Sequence, residues 1–207
     1  MSCWSLTAVK ARGCCKQRLA DELTPQRRRE LVDSMLDHVI AVLRASPDID
    51  RIAVVSPEHD GLPPEVQRIA DPGGGLDVAL AHAARVAIGR GATRLVIVHA
   101  DLPWLTAQDI AALVAASRVS GIALAPDRED RGTNALCLAL PGPLRFESGP
   151  GCFGRQEAQA IRFGLTPAVV RRAGLAFDVD EIEDLRRLGR FDPKGSTSGS
   201  RAPSRPH

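Results

Sequence analysis

Short continuous apolar runs alternate along the chain with longer stretches in which apolar residues recur every three or four positions. The runs at 4–9, 52–55, 95–98, 122–125 and 134–140 read as strands. Residues 95–98 are apolar without interruption, as expected of a central parallel strand buried on both faces. A weaker strand is predicted at 66–70 and a last one at 175–179. Between the strands, Thr24 is a good helix N-cap with Pro25 at the first helical position. Leu31, Met35, Val39 and Val42 then share one face, which predicts a helix to about Ala45. Further helices are predicted over 76–88, from Thr106 (capped with Asp109) to about Ser117, over 156–163, and from Asp180 (capped with Glu183) to about Leu188. The segment 10–21 has no apolar period and reads as a loop; 71–75 and 145–154 are Gly-rich turns.

Strands alternating with helices imply one α/β domain over residues 1–190, three-layered, with a mostly parallel sheet covered on both faces. Residues 191–207 are rich in Ser, Gly, Pro and Arg; they cannot bury a core and read as a disordered tail. Mostly parallel sheets bind ligands beyond the C-terminal ends of their strands. Lys10, the 71–75 loop and Asp101 all fall on that edge.

Composition narrows the partners. Net charge is +2, no argument for wholesale nucleic-acid binding, and aromatics are 3% with no Tyr, which argues against a base-stacking platform. No apolar run approaches the ~18 residues of a membrane span, and no leader-like apolar segment opens the chain. The five cysteines form neither C-x-x-C pairs nor zinc spacing, so reduced thiols and a cytoplasmic location are expected. Residues 1–30 hold seven Lys or Arg against three Asp or Glu, suited to a small anion or to a solvated helix face. The sequence does not decide between a monomer and a homodimer.

Asp101 directly follows the central strand, and Leu102-Pro103 stiffens the turn that presents it. A carboxylate at that rim suits a hard cation such as Mg²⁺, which takes carboxylate, phosphate and water oxygens. The plain alternative is a turn or cap residue, but Thr106 is the better-placed cap. Asp178 and Asp180 alternate with Val179 and so point to one face; with Asp180 expected to cap the following helix, Asp178 is the better second ligand. Both could equally be turn residues. Lys10, Lys16 and Arg18 follow the first strand on a loop and suit a triphosphate that loses a charged leaving group, though basic loops are usually only solvated. Gly73 to Gly75 allow close backbone approach before a helix N-terminus. The Gly-containing segments 131–134 and 148–152 offer backbone N–H groups to a second phosphate or a carboxylate, or are ordinary turns.

Taken in order, Ala8-Val9-Lys10, Lys16-Gln17-Arg18, Gly75-Leu76-Asp77, Ala100-Asp101-Leu102-Pro103, Gly132-Thr133-Asn134-Ala135-Leu136, Gly149-Pro150-Gly151-Cys152-Phe153 and Asp178-Val179-Asp180 with Glu183-Asp184-Leu185 resemble the phospholactate guanylyltransferase family of coenzyme F-420 biosynthesis. The likeness spans about residues 4–189. It implies a GT-A-like nucleotidyltransferase fold, with GTP and Mg²⁺ as partners. The acceptor it implies is 2-phospholactate, phosphoenolpyruvate or 3-phosphoglycerate. It also implies metal ligation by Asp101 and Asp178, nucleotide contacts at Gly75 and Asp77, and acceptor contacts at Thr133, Gly149 and Cys152. Lys10, Lys16 and Arg18 would face the leaving pyrophosphate. The chain departs from the family pattern at Ala8, Asp77 and Cys152, where Pro, Asn and Ser are usual. Rival readings are a related nucleotidyltransferase with a molybdopterin or sugar-phosphate acceptor, and a non-catalytic nucleotide-binding homologue. Related enzymes usually have a Gly-rich phosphate loop after the first strand, whereas Lys10-Ala11-Arg12-Gly13 contains one Gly.

Overall fold

A computed structural model describes residues 2–9, 16–57, 61–142 and 145–188. Lys10 and the tail expected at 191–207 lie outside the described residues. The elements run β1 (Cys3–Ala8), α1 (Pro25–Arg44), β2 (Arg51–Ser56), β3 (Gln67–Ala70), α2 (Leu76–Gly89), β4 (Arg94–Val98), α3 (Ala107–Ser120), β5 (Ile122–Pro126), β6 (Thr133–Ala139), α4 (Cys152–Arg162), β7 (Ala168–Val169), α5 (Ala173–Ala176) and α6 (Ile182–Arg187). A 3-10 turn, Gln17–Leu19, precedes α1.

The seven strands form one sheet in the order β3-β2-β1-β4-β6-β5-β7. Only β6 runs against its neighbours, pairing antiparallel with both β4 and β5. Strand side chains alternate between two cores, as the two-residue period demands. Trp4, Leu6, Leu95 and Ile97 pack with Leu80 and Ala83 of α2 and with Phe153 and Ala160 of α4. Val54, Val96 and Val98 pack on the opposite side with Val39 and Leu43 of α1 and Ile110 and Leu113 of α3. The result is the expected three-layer α/β architecture, with β4 fully covered on both faces.

The helix caps follow the sequence closely at α1 and α3. The Thr24 side chain accepts a hydrogen bond from the Arg27 amide, and Thr106 and Asp109 form a reciprocal capping box. Three expectations need correction. Helix α4 starts at Cys152 rather than near Gln156, because Gly151 in a left-handed conformation (φ 76) turns the chain into the helix. The strand expected at 175–179 is instead the short helix α5 followed by extended chain outside the sheet, and the last strand is β7. The alternation that suggested it is real: Leu175, Phe177 and Val179 are buried and Ala176, Asp178 and Asp180 are not. That period reports burial against the core, and the places beside β5 and β6 are already taken. The cap of α6 is Glu181 in a capping box with Asp184, not Asp180 with Glu183.

Candidate active site

The C-terminal ends of β1 and β4 and the N-terminal end of the antiparallel β6 open onto a cleft of about 1430 Å³. It is lined by Lys16, Arg18, Gly75, Asp77, Asp101, Thr133, Gly149, Cys152 and Asp178, whereas Gly73, Gly74 and Gly151 are not part of its lining.

Lys16 lies at its centre. Its backbone is left-handed (φ 50, ψ 46), a conformation that costs a residue with a side chain on the order of 1 kcal/mol. The turn sends the ammonium inward, where Nζ donates to Asp101 Oδ2 at 2.5 Å and to Asp180 Oδ1 at 2.9 Å. The Lys16 side chain is 10% exposed, so this pair is screened far less than a surface ion pair. Burial disfavours the Lys16 charge, but the two carboxylates outweigh it and hold its pKa above the ordinary value. Burial likewise works against the charge of Asp101, yet Lys16 and His99 keep its carboxyl below the usual range. Asp178 goes the other way. Burial, then the neighbouring charges of Asp101 and Asp180, push its pKa up. Its Oδ1 accepts a hydrogen bond from Asn134 Nδ2 at 3.4 Å. Arg18 is exposed and reaches only the outer edge of the cluster, 3.7 Å from Asp180 and 3.8 Å from Glu181.

Two Gly-containing segments frame the cleft. Gly75 is the N-cap of α2 (φ 95), and Asp77 stands in the first turn with Oδ1 buried and unpartnered. Across the cleft, Gly149 and Gly151 have positive φ, and the Cys152 amide donates to Gly149 O. Arg155 braces this loop by donating to the carbonyls of Ser148 and Pro150 and to the Glu147 carboxylate. Gln156 Nε2 adds a bond to Glu147 O at 2.9 Å. Thr133, the first residue of β6, has its hydroxyl oxygen buried without a partner, and so has Asp101 at Oδ1. Buried polar atoms without partners are uncommon in folded proteins and mark places where a ligand could supply the missing group.

Sequence reasoning singled out 131–134 in the loop between β5 and β6 but missed Asp127, which ties that loop together. Asp127 accepts from the amides of Glu129, Arg131 and Gly132, at 3.0, 2.9 and 2.6 Å. A Cβ on Gly132 would lie 2.6 Å from Asp127 Oδ2, so glycine is required there by close approach. The Asp-to-Gly spacing across a turn was the available signal. Asp180 was also undervalued, because Glu181 rather than Asp180 caps α6 and Asp180 is left facing Lys16.

A mostly parallel three-layer sheet, with carboxylates and a buried lysine at the C-terminal ends of its central strands, is the architecture of a nucleotidyltransferase. Solved structures of similar fold include a protein described as a nucleotide-diphospho-sugar transferase from Desulfovibrio desulfuricans G20. It has a TM-score of 0.75 at 19% identity and covers 95% of this chain and 90% of its own. Another is 4-diphosphocytidyl-2C-methyl-D-erythritol synthase from Anaerococcus prevotii DSM 20548, with a TM-score of 0.58 at 11% identity, covering 90% of this chain and 93% of its own. Residues 4–191 match the family described as "Guanylyl transferase CofC like", and the chain belongs to that family of guanylyltransferases. Curated relatives include phosphoenolpyruvate guanylyltransferases of Sphaerobacter thermophilus, 43% identical over 96% of this chain and 98% of the relative, and of Rubrobacter xylanophilus, 38% identical over 91% and 94%. Among the described residues no helix is long and apolar enough to cross a membrane.

Proposed function

We propose that this guanylyltransferase moves GMP from GTP onto the phosphate of phosphoenolpyruvate, releasing pyrophosphate, as a step of coenzyme F-420 biosynthesis. The observation that carries the reading is the convergence of the Asp101, Asp178 and Asp180 carboxylates, Lys16 and two Gly-framed loops in one cleft. The names of the relatives favour phosphoenolpyruvate over 3-phosphoglycerate and 2-phospholactate as the acceptor.

An acceptor phosphate oxygen attacks the α-phosphorus of GTP while the bond from that phosphorus to the bridging oxygen breaks, and pyrophosphate leaves. A phosphate monoester has its second pKa near about 6, so the attacking oxygen carries no proton at neutral pH and no general base is required. The residues can then act by positioning and charge alone. Lys16 and Arg18, with Lys10, neutralise the leaving group. Gly75 and Asp77 take the nucleotide. Thr133, Gly149 and Cys152 hold the acceptor; the Cys152 amide already donates to the Gly149 carbonyl, so this position offers the acceptor its thiol in place of the usual hydroxyl.

The carboxylates fit Mg²⁺. Asp101 keeps a buried Oδ1 without a partner, and Asp178 carries charge that its neighbours oppose. Asp101 and Asp178 would hold the ion, with Asp180 at hand. Bound there, Mg²⁺ supplies charge neutralisation for the transferring phosphoryl group.

The test is pyrophosphate release from GTP in the presence of Mg²⁺, run separately with phosphoenolpyruvate, 3-phosphoglycerate and 2-phospholactate. Release with phosphoenolpyruvate is expected. Release with another of the three alone would reassign the acceptor, and silence with all three from folded protein would overturn the reaction.

A further inference from the structure

Below the carboxylates, side chains from three separate segments are joined in a chain of contacts that none of the roles above uses. Trp104 belongs to the turn that follows Asp101. Its ring stacks on Phe177 with centroids 3.8 Å apart and planes 14° from parallel. Phe177 immediately precedes Asp178 and lies beneath the Arg128 guanidinium, 4.7 Å from Cζ to the ring centroid. Arg128 sits in the loop knotted by Asp127, next to the acceptor side of the cleft. Its Nη2 donates to Asp184 Oδ1 at 2.6 Å. Asp184 is 5% exposed, and its other oxygen accepts from the amides of Asp180 and Glu181 at 3.0 and 2.9 Å.

Helix capping alone explains the bonds from the two amides. It does not explain why a carboxylate so buried also takes an arginine from across the cleft. A bidentate-capable, planar guanidinium that both stacks and hydrogen-bonds defines an orientation as well as a distance. Through it the loop 127–132 is tied to the segment that carries Asp178 and Asp180. The Asp101 turn is tied to the same segment through Trp104 and through the Val179 amide, which donates to Asp101 O at 3.3 Å.

We propose that Arg128 and Asp184 are positioning residues that keep the acceptor-side loop and the carboxylate segment in one register. The inference rests on the metal reading above. Outer contacts that orient metal-binding groups typically contribute about 10–100-fold in metal affinity. Both residues also border the cleft, and loss of this brace weakens metal-dependent nucleotide binding.

The full chain is titrated with a fluorescent GTP analogue in Mn²⁺ and again in EDTA, and the ratio of the two affinities gives the gain due to metal. Asp184→Asn puts an amide donor against donors and is expected to reduce that gain about tenfold, leaving the affinity in EDTA unchanged. Arg128→Met keeps the α6 cap and is expected to reduce the gain less, while raising the KM for the acceptor in pyrophosphate release. If Asp184→Asn does not fold, Arg128→Met alone decides. A gain unchanged in folded variants, with only a lower melting temperature, would make the pair a purely structural cap and overturn the proposal. Absence of any gain in the wild-type chain would remove the metal reading and the brace with it, an outcome distinct from failure of the brace alone.

Discussion

Lys16 and Asp101 set the electrostatics of the cleft, and each is intelligible only through the other. The lysine is held 2.5 Å from Asp101 and 2.9 Å from Asp180, so the free cleft already contains a cation against its carboxylates. Asp101→Asn removes one of those charges and halves the carboxylate pair offered to a metal. Turnover should fall about 100-fold or more, corresponding to roughly 3 kcal/mol of lost transition-state stabilisation. Pyrophosphate release checks the rate and circular dichroism the fold; near-normal turnover would remove Asp101 from the metal site. At the opposite end of the sheet, Cys3 gives a pH prediction. Burial, reinforced by the nearby Cys137, raises its pKa from 9.0 to about 12. The neutral thiol therefore favours the folded state fully below pH 9, and the benefit is lost as pH rises toward 12. Between about pH 9 and 11 the wild-type chain should lose stability faster than Cys3→Ala, by up to about 1.4 kcal/mol per pH unit. Urea unfolding at several pH values measures the difference, and parallel slopes would refute it. Residue types at strand ends were readable because strand ends are readable: Asp101 needed only the apolar run before it. The brace of Arg128 and Asp184 was not, since it joins positions 56 apart with no local pattern.

Elements with a strong local signature were legible, and elements defined by their neighbours were not. Helices α1 and α3 announced themselves by caps and by apolar spacing. The stretch after β7 did not, because its two-residue burial rhythm arises from packing on the core without any strand beside it. Helix α5 sits there for a reason visible only in space. A Cβ on Gly174 would run into the Asp109 carboxylate and the Trp104 carbonyl, so the backbone of α5 lies directly on the start of α3. Arg172, next to α5, forms an ion pair with the same buried Asp109. Gly174→Ala should therefore cost about 1–3 kcal/mol by overpacking. For a chain of this size that corresponds to roughly 2–4 °C in melting temperature per kcal/mol. The same shift should be accompanied by lower activity, since α5 leads directly into Phe177 and Asp178. A Gly174→Ala chain with unchanged melting temperature would show that α5 can lift away from α3 freely.

At the scale of the molecule, the sheet divides labour between its two ends. Both cores are built from the strand interiors, while the cleft is assembled from the C-terminal ends of β1 and β4, the N-terminal end of β6 and the segments beside them. The sequence predicted this division well, because an alternating pattern of strands and helices dictates on which edge loops can gather ligands. It could not predict that three segments far apart in the chain would share one brace. One consequence is that a nucleotide bridging the Gly75 side, Lys16 and the carboxylates stabilises the whole fold rather than a single loop. A ligand bound only by the folded state at about 100 times its Kd adds about 2.7 kcal/mol. The expected rise in melting temperature is then about 5–10 °C for GTP with Mg²⁺. ATP and CTP at the same concentration should give clearly less if the Gly75 and Asp77 edge distinguishes the base. Equal shifts with all three triphosphates would mean that the chain grips phosphates and metal alone, and the choice of guanine would have to arise later, in the transfer step.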